Sequence, residues 1–187
     1  MSYADLTWED PNPVKRWLQR RRVADALAQV PAAETVSMFV DYGGGDGFLA
    51  VQALERWPEA EAVVFEPYGD LAEAARRRLG PWTQARVVEH QRDLPAGADV
   101  VFCTEVFEHL PGAETERAIW EIDRVLKVGG RLVVGVPVEI GLPALLKGLF
   151  RQARRPQAYD GDWSRIWKAA LGHPATDRPL EQMGEHL

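Results

Sequence analysis

The chain has 187 residues, of which 46% are apolar and 27% charged, with a net charge of −6 and a single cysteine. This composition fits one globular domain spanning 1–187 and excludes a disordered chain, a collagen-like repeat and a coiled coil. No uncharged run approaches the ~18 residues of a membrane-spanning helix, the opening MSYADLTWED lacks a secretory pattern, and Cys103 alone forms no internal disulfide, so a reducing, cytoplasmic setting is expected. An acidic chain also grips a long polyanion poorly, which disfavours nucleic acid as a partner.

Along the chain, β-rich runs alternate with helical ones. Asn12 can cap a first helix and Pro13 suits its first position, so a helix is expected over about 14–30, ending near Pro31. The run Val36 to Val40 predicts a strand, followed by a glycine cluster and a helix from Phe48 to Trp57, stopped by Pro58. Residues 62–65 predict a second strand, 71–79 a helix, 86–88 a third strand and 99–103 a fourth. The spacing of Ile119, Ile122 and Leu126 predicts a helix over 114–126 with these three on one face, ended by Gly129-Gly130. Residues 131–138 predict a fifth strand. Strands apolar throughout, with helices between them, imply an α/β fold: a doubly wound, mostly parallel sheet covered on both faces. The organisation is then an N-terminal helix over 12–30, a core over 36–138 and a lid or tail over 140–187, with no internal repeat.

The most informative segment is Asp41-Tyr42-Gly43-Gly44-Gly45-Asp46-Gly47, where a strand ends, the chain turns sharply and a helix begins. Glycines suit a turn that lets a ligand approach the backbone, the helix N-terminus favours negative ligand groups, and open α/β sheets bind ligands at the carboxyl ends of their strands. A dinucleotide loop needs a third glycine where Phe48 stands, which disfavours a nicotinamide oxidoreductase, and no Gly-Lys-Ser/Thr ending makes a phosphate loop. The flanking Asp41 and Asp46 suit a ligand carrying cationic groups.

With Val64-Phe65-Glu66-Pro67, Asp93-Leu94-Pro95, the run from Asp99 to Leu110 and Val125 to Leu132, this segment resembles the class I S-adenosylmethionine-dependent methyltransferases over about 36–137. The resemblance implies a Rossmann-like sheet with S-adenosyl-L-methionine as cofactor. It implies that Asp41 organises the loop and faces the methionine amino group, that Gly43 and Gly45 contact the cofactor through backbone, and that Glu66 accepts both ribose hydroxyls. Asp46 is either a further contact or a solvated turn residue. The family's adenine acid falls on His90; either Asp93 shifts into that role, or His90 and Gln91 with backbone groups bind the base. Cys103 reads as a small buried residue, and Thr104 sits where cofactor or acceptor is touched. Glu105, Glu108 and His109 share one face if helical. They resemble the Glu-x-x-Glu-His segment of small-molecule methyltransferases, with a positioning role or His109 as general base. They also resemble the metal-binding segment of small-RNA 3′-end 2′-O-methyltransferases, which needs a further histidine, for which His173 is the candidate.

The reaction implied is methyl transfer to a small or amphiphilic acceptor, mainly by positioning. The alternatives are a metal-assisted RNA 2′-O-methyltransferase and a non-catalytic cofactor-binding protein. Acceptor recognition is expected from basic residues outside the core: Lys15, Arg16, Arg20, Arg21 and Arg22 on the first helix, and Lys147, Arg151, Arg154 and Arg155 in a basic amphipathic stretch over 142–155. That stretch reads as an acceptor lid and suits contact with an anionic membrane surface. Residues 158–187 do not read as the family's closing antiparallel strand pair, so the chain is a shortened one, a minimal variant, or a homo-oligomer that completes its sheet with a partner.

Overall fold

The computed structural model describes residues 13–136 together with Lys168. Residues 13–136 fall in one compact unit bounded at Val136. The expectations for 140–187, including the lid over 142–155, its membrane contact, the closing strand pair and His173, lie outside the described residues.

The elements follow as α1 (Pro13–Ala28), β1 (Met38–Tyr42), α2 (Phe48–Arg56), β2 (Glu61–Phe65), α3 (Gly69–Leu79), β3 (Ala85–Val88), β4 (Ala98–Thr104), α4 (Gly112–Val125) and β5 (Leu126–Gly135). Single 3₁₀ turns lie at Gln91–Asp93 and Phe107–His109. All strand pairs are parallel, in the order β3-β2-β1-β4-β5. The strand order reverses between β1 and β4, so their carboxyl ends open onto the crevice where such sheets bind ligands.

Alternate residues of β1 and β4 feed two apolar layers. Phe39, Val64, Val100 and Phe102 pack with Leu54, Trp57, Ala26 of α1 and Val30 just beyond it on one face. Val40, Tyr42, Val63, Val101 and Cys103 pack with Ala118, Ile122 and Val125 of α4 on the other. Phe39 meets Trp57 at 6.3 Å and Phe102 edge-on at 6.2 Å. A fully buried aromatic of this kind contributes about 1.5–3 kcal/mol by area alone. The tail of α1 is fastened by Arg56 of α2, whose guanidinium donates to the carbonyls of Leu27 and Val30 and covers the Trp57 ring. Asp99 closes the opposite end of the sheet, accepting from the backbone N–H groups of Ser37 and Met38 and pairing with Lys127.

Most expected boundaries move by no more than two residues, but three expectations need correction. First, β1 starts at Met38 instead of Val36 and continues through Asp41 and Tyr42, which pair with Val64 and Phe65. Asp41, polar as it is, is a strand residue that is 1% exposed. Second, Gly129-Gly130 does not end a helix. Helix α4 stops at Val125, and Leu126 already pairs with Ala98; the glycines, with Gly129 at φ 79°, lie in the irregularity before Arg131 pairs with Val100. Third, Ile119 is 52% exposed, and the buried stripe of α4 runs through Ala118, Ile122 and Val125 instead.

Candidate functional site

The glycine turn is held from beneath by the tip of β2. Gly43 and Gly44 donate their N–H groups to the Phe65 carbonyl at 2.8 and 3.1 Å. Glu66 follows and is 3% exposed; Oε2 accepts the Gly45 N–H at 2.9 Å and Oε1 the Tyr68 N–H at 3.0 Å. Burial raises its pKa against the pull of those two donors. The strand-end acid predicted from sequence therefore also clasps the crest of the loop.

Two glycines are required by close approach. A methyl at Gly44 would lie 2.7 Å from both Asp41 Oδ2 and Val64 Cγ1, and one at Gly43 would lie 2.5 Å from Val106 Cγ2. Gly45 differs: nothing stands within 4 Å of where its Cβ would be, so the crest is open.

Asp41 lies under this loop, with Oδ2 buried and without a hydrogen-bond partner. Burial first, then the charges of Glu66 and Asp46, push its pKa up from 3.8 to about 7. The sign of the consequence is definite. In the ligand-free unfolded chain the group titrates near 3.8, so between there and about 7 the folded protein keeps a proton that the unfolded chain has lost. Each step up in pH then removes stability, until the loss is complete above the folded value. Asp41→Asn is expected to flatten that slope: between about pH 5 and about pH 8 its melting temperature rises relative to wild type. Parallel melting curves for the two proteins across that window would contradict the assignment.

Asp46 points away from the crest. It accepts the Phe48 N–H at 3.3 Å and pairs with Arg78 of α3 at 2.7 Å, while Arg78 also donates to the Asp46 carbonyl. Of the two sequence readings, the structure favours the turn residue, fixed by a cation rather than solvated.

The stretch after β3 is pinned from two sides. Gln91 donates to the Tyr42 hydroxyl at 2.6 Å, and Arg124 of α4, held by Glu121 at 2.9 Å, reaches the carbonyls of Gln91 and Leu94. His90 and Asp93 stand exposed on this loop, and Asp93 lies 3.9 Å from Arg92. These anchors escaped sequence reasoning; an arginine inside an amphipathic helix gives no signal of a carbonyl partner 30 residues away.

Beyond β4 the chain does not become an α-helix, so Glu105, Glu108 and His109 do not share a helical face. Thr104 ends the strand half-buried, and Glu105 adopts φ 58°, alone among the described non-glycine residues in being left-handed. It donates its N–H to the Gly135 carbonyl at 2.8 Å and pairs with Arg22 of α1 at 3.0 Å. Glu108 turns inward, its Oε2 buried and unpartnered, whereas His109 is exposed. Among the described residues no group of three His, Cys, Asp or Glu side chains is placed to hold a metal ion. Cys103 is fully buried, and burial, with the nearby charges of Asp41 and Glu108, pushes its thiol up to about 12. It is a packing residue.

Residues 39–130 match a protein family described as methyltransferase domain. The chain is 32% identical over 134 residues to a trans-aconitate 2-methyltransferase of an Azoarcus species, covering 70% of this chain and 51% of that protein. It is 29% identical over 173 residues to the enzyme of the same name from Afipia carboxidovorans, covering 90% of this chain and 65% of the relative. The chain thus spans about half to two thirds of the length of these relatives. Among solved structures, the N-methyltransferase NodS of Bradyrhizobium japonicum, crystallised with S-adenosyl-L-homocysteine, shares the fold with a TM-score of 0.56. It is 20% identical, over 67% of this chain and 63% of its own. No helix among the described residues is long and apolar enough to cross a membrane.

Proposed function

We propose, for a chain whose residues 39–130 form a methyltransferase domain of the class I, S-adenosylmethionine-dependent kind, that it transfers a methyl group from S-adenosyl-L-methionine to a small acceptor, chiefly by holding the two in line. The observation that carries this reading is the open crest at Gly45, clasped to the buried carboxylate of Glu66 and underlain by the unpartnered Oδ2 of Asp41. The residues fit such a nucleoside. Each oxygen of Glu66 keeps lone-pair capacity beside its backbone bond, which suits a sugar diol. The clustered negative charge of Asp41 and Glu66 suits a ligand with cationic groups and is relieved by one.

When bound, the cofactor supplies an already activated methyl group as its sulfonium. What this chain must add is alignment and exclusion of water. Gly43 and Gly45 offer backbone to the methionine end. The loop of His90, Gln91 and Asp93, pinned by Arg124, borders the place for the base. Thr104, at the tip of β4, borders the place for the acceptor. His109 is the group that takes a proton from an acceptor that must lose one.

The test is calorimetry with S-adenosylhomocysteine followed by transfer of labelled methyl to a panel that includes trans-aconitate. Saturable binding and a labelled product are expected. Absence of affinity for either nucleoside at about millimolar concentration overturns the proposal; binding without transfer to any acceptor identifies a cofactor-binding protein instead.

A further inference from the structure

We infer that the methyl acceptor is recognised through its hydrogen-bond donors, as an alcohol, phenol or amine and not as a carboxylate, by two buried oxygens, Gln19 Oε1 and Glu108 Oε2; the inference deepens the proposed function and rests on it. Among the described residues the buried side-chain atoms without a hydrogen-bond partner are Gln19 Oε1, Asp41 Oδ2 and Glu108 Oε2. All of them are acceptors. A buried oxygen left unpaired costs stability and calls for an explanation. Asp41 lies under the glycine turn and belongs with the cofactor; the other two have no part in that reading. They arrive from different elements at the same end of the sheet. Val106 packs against Gly43, and Glu108 follows in the 3₁₀ turn, close enough to the end of β4 for its charge to push the Cys103 thiol up. Gln19 lies one helical turn before Val23, which packs against the apolar layer, and before Arg22, which meets Glu105 at 3.0 Å beside the tip of β4. Helix α1 and the 105–109 bend are therefore joined at this point, and each of the joined segments carries an unpaired buried oxygen.

The chemistry of the two atoms selects the ligand. An amide oxygen and a carboxylate oxygen are relieved by an O–H or N–H and by nothing that only accepts. A carboxylate ligand leaves both unpaired and adds a negative charge beside Glu108 and Glu105. Arg22, a cation described at this end, is already engaged by Glu105. Sites whose buried polar groups need a donor reject analogues without one by orders of magnitude, because those groups stay unpaired. Trans-aconitate, a tricarboxylate, is on this ground refused, and a hydroxyl or amine is taken. The unpaired oxygens are also a stability cost that the ligand-free protein bears for recognition.

The experiment compares the 187-residue wild type with Gln19→Leu, Glu108→Leu and Glu108→Gln. It reads the melting temperature of the ligand-free protein, the affinity for S-adenosylhomocysteine, and transfer of labelled methyl to catechol, phenethyl alcohol, phenethylamine and trans-aconitate. Wild type is expected to label at least one of the three donor-bearing probes and not trans-aconitate, and the probe labelled tells hydroxyl from amine. Each leucine variant removes an unpaired oxygen, so its melting temperature is expected to rise by roughly 2–6 °C. Its affinity for S-adenosylhomocysteine stays that of wild type, and its transfer to the labelled probe falls more than about tenfold. Glu108→Gln keeps an acceptor oxygen and falls between wild type and Glu108→Leu in transfer. A melting temperature that fails to rise in either leucine variant overturns the inference, since the oxygen is then paired or braces the fold. Labelling of trans-aconitate, or of none of the three donor-bearing probes, overturns it as well. Saturable S-adenosylhomocysteine binding together with labelled trans-aconitate leaves the proposed function standing and sinks this inference alone, whereas a wild type that binds no nucleoside sinks both.

Discussion

Glu66→Gln is expected to lower affinity for S-adenosylhomocysteine by roughly 100-fold, the largest loss from a single near-isosteric change in this protein. Both carboxylate oxygens already accept a backbone N–H, from Gly45 and from Tyr68. An amide offers one acceptor oxygen and one NH₂ group, so one of those N–H donors faces another donor. The loop crest or the turn after β2 then loses its hold, and the sugar loses a charge-assisted partner. A bond to a charged acceptor contributes about 1.5–3 kcal/mol, and at about 1.4 kcal/mol per tenfold the loss of one at the upper end accounts for the factor. Calorimetry decides the matter: equal affinities for variant and wild type would remove Glu66 from the binding site.

The second large effect is a crossed pair of alanine substitutions one residue apart. Gly44→Ala drives a methyl to 2.7 Å from Asp41 Oδ2 and Val64 Cγ1, and both neighbours are buried and have nowhere to go. Overpacking of this kind costs about 1–3 kcal/mol, so the melting temperature should fall by roughly 5–10 °C. Gly45→Ala meets no atom within 4 Å, and its only folding cost is the left-handed backbone at φ 56°, about 1 kcal/mol. Its methyl instead covers the crest proposed to meet the cofactor, so nucleoside affinity should fall more than about tenfold while the fold survives. Thermal melts and calorimetry on both variants separate the two effects. Similar losses of stability in both would show that Gly45 lies on a packed surface and not an open one.

Much of the α/β layout could be read directly from the chain, because parallel strands buried on both faces are spelled out as apolar runs and because Pro13, Pro58 and Gly80-Pro81 punctuate the helices. Misreadings arose where local chemistry and tertiary placement disagree. The apolar run looks finished at Val40, yet the strand continues through Asp41 and Tyr42, since their β2 partners Val64 and Phe65 supply the ladder that keeps them extended. Gly129-Gly130 looks like a helix stop, yet Leu126 already pairs with Ala98. That Asp41, Gly43, Gly45 and Glu66 gather at one turn was legible because backbone turn and strand tip leave local signatures. Arg22, Arg78 and Arg124 act on partners 30 or more residues away, and a sequence shows only that they are basic. The segment 105–109 was legible in composition but not in shape, because a single left-handed residue at Glu105 turns an apparent helical face into a bend.

The way α1 is fastened has a consequence for how such a protein diversifies. Its tail rests on the Arg56 guanidinium and a few small apolar residues, and its middle on the Arg22 pair, whereas the glycine turn and Glu66 are supported by β1 and β2. The support of the glycine turn and the attachment of α1 are thus carried by separate contacts. A foreign helix grafted in place of α1 that keeps the carbonyls facing Arg56 would leave the hold of Glu66 on the glycine turn untouched.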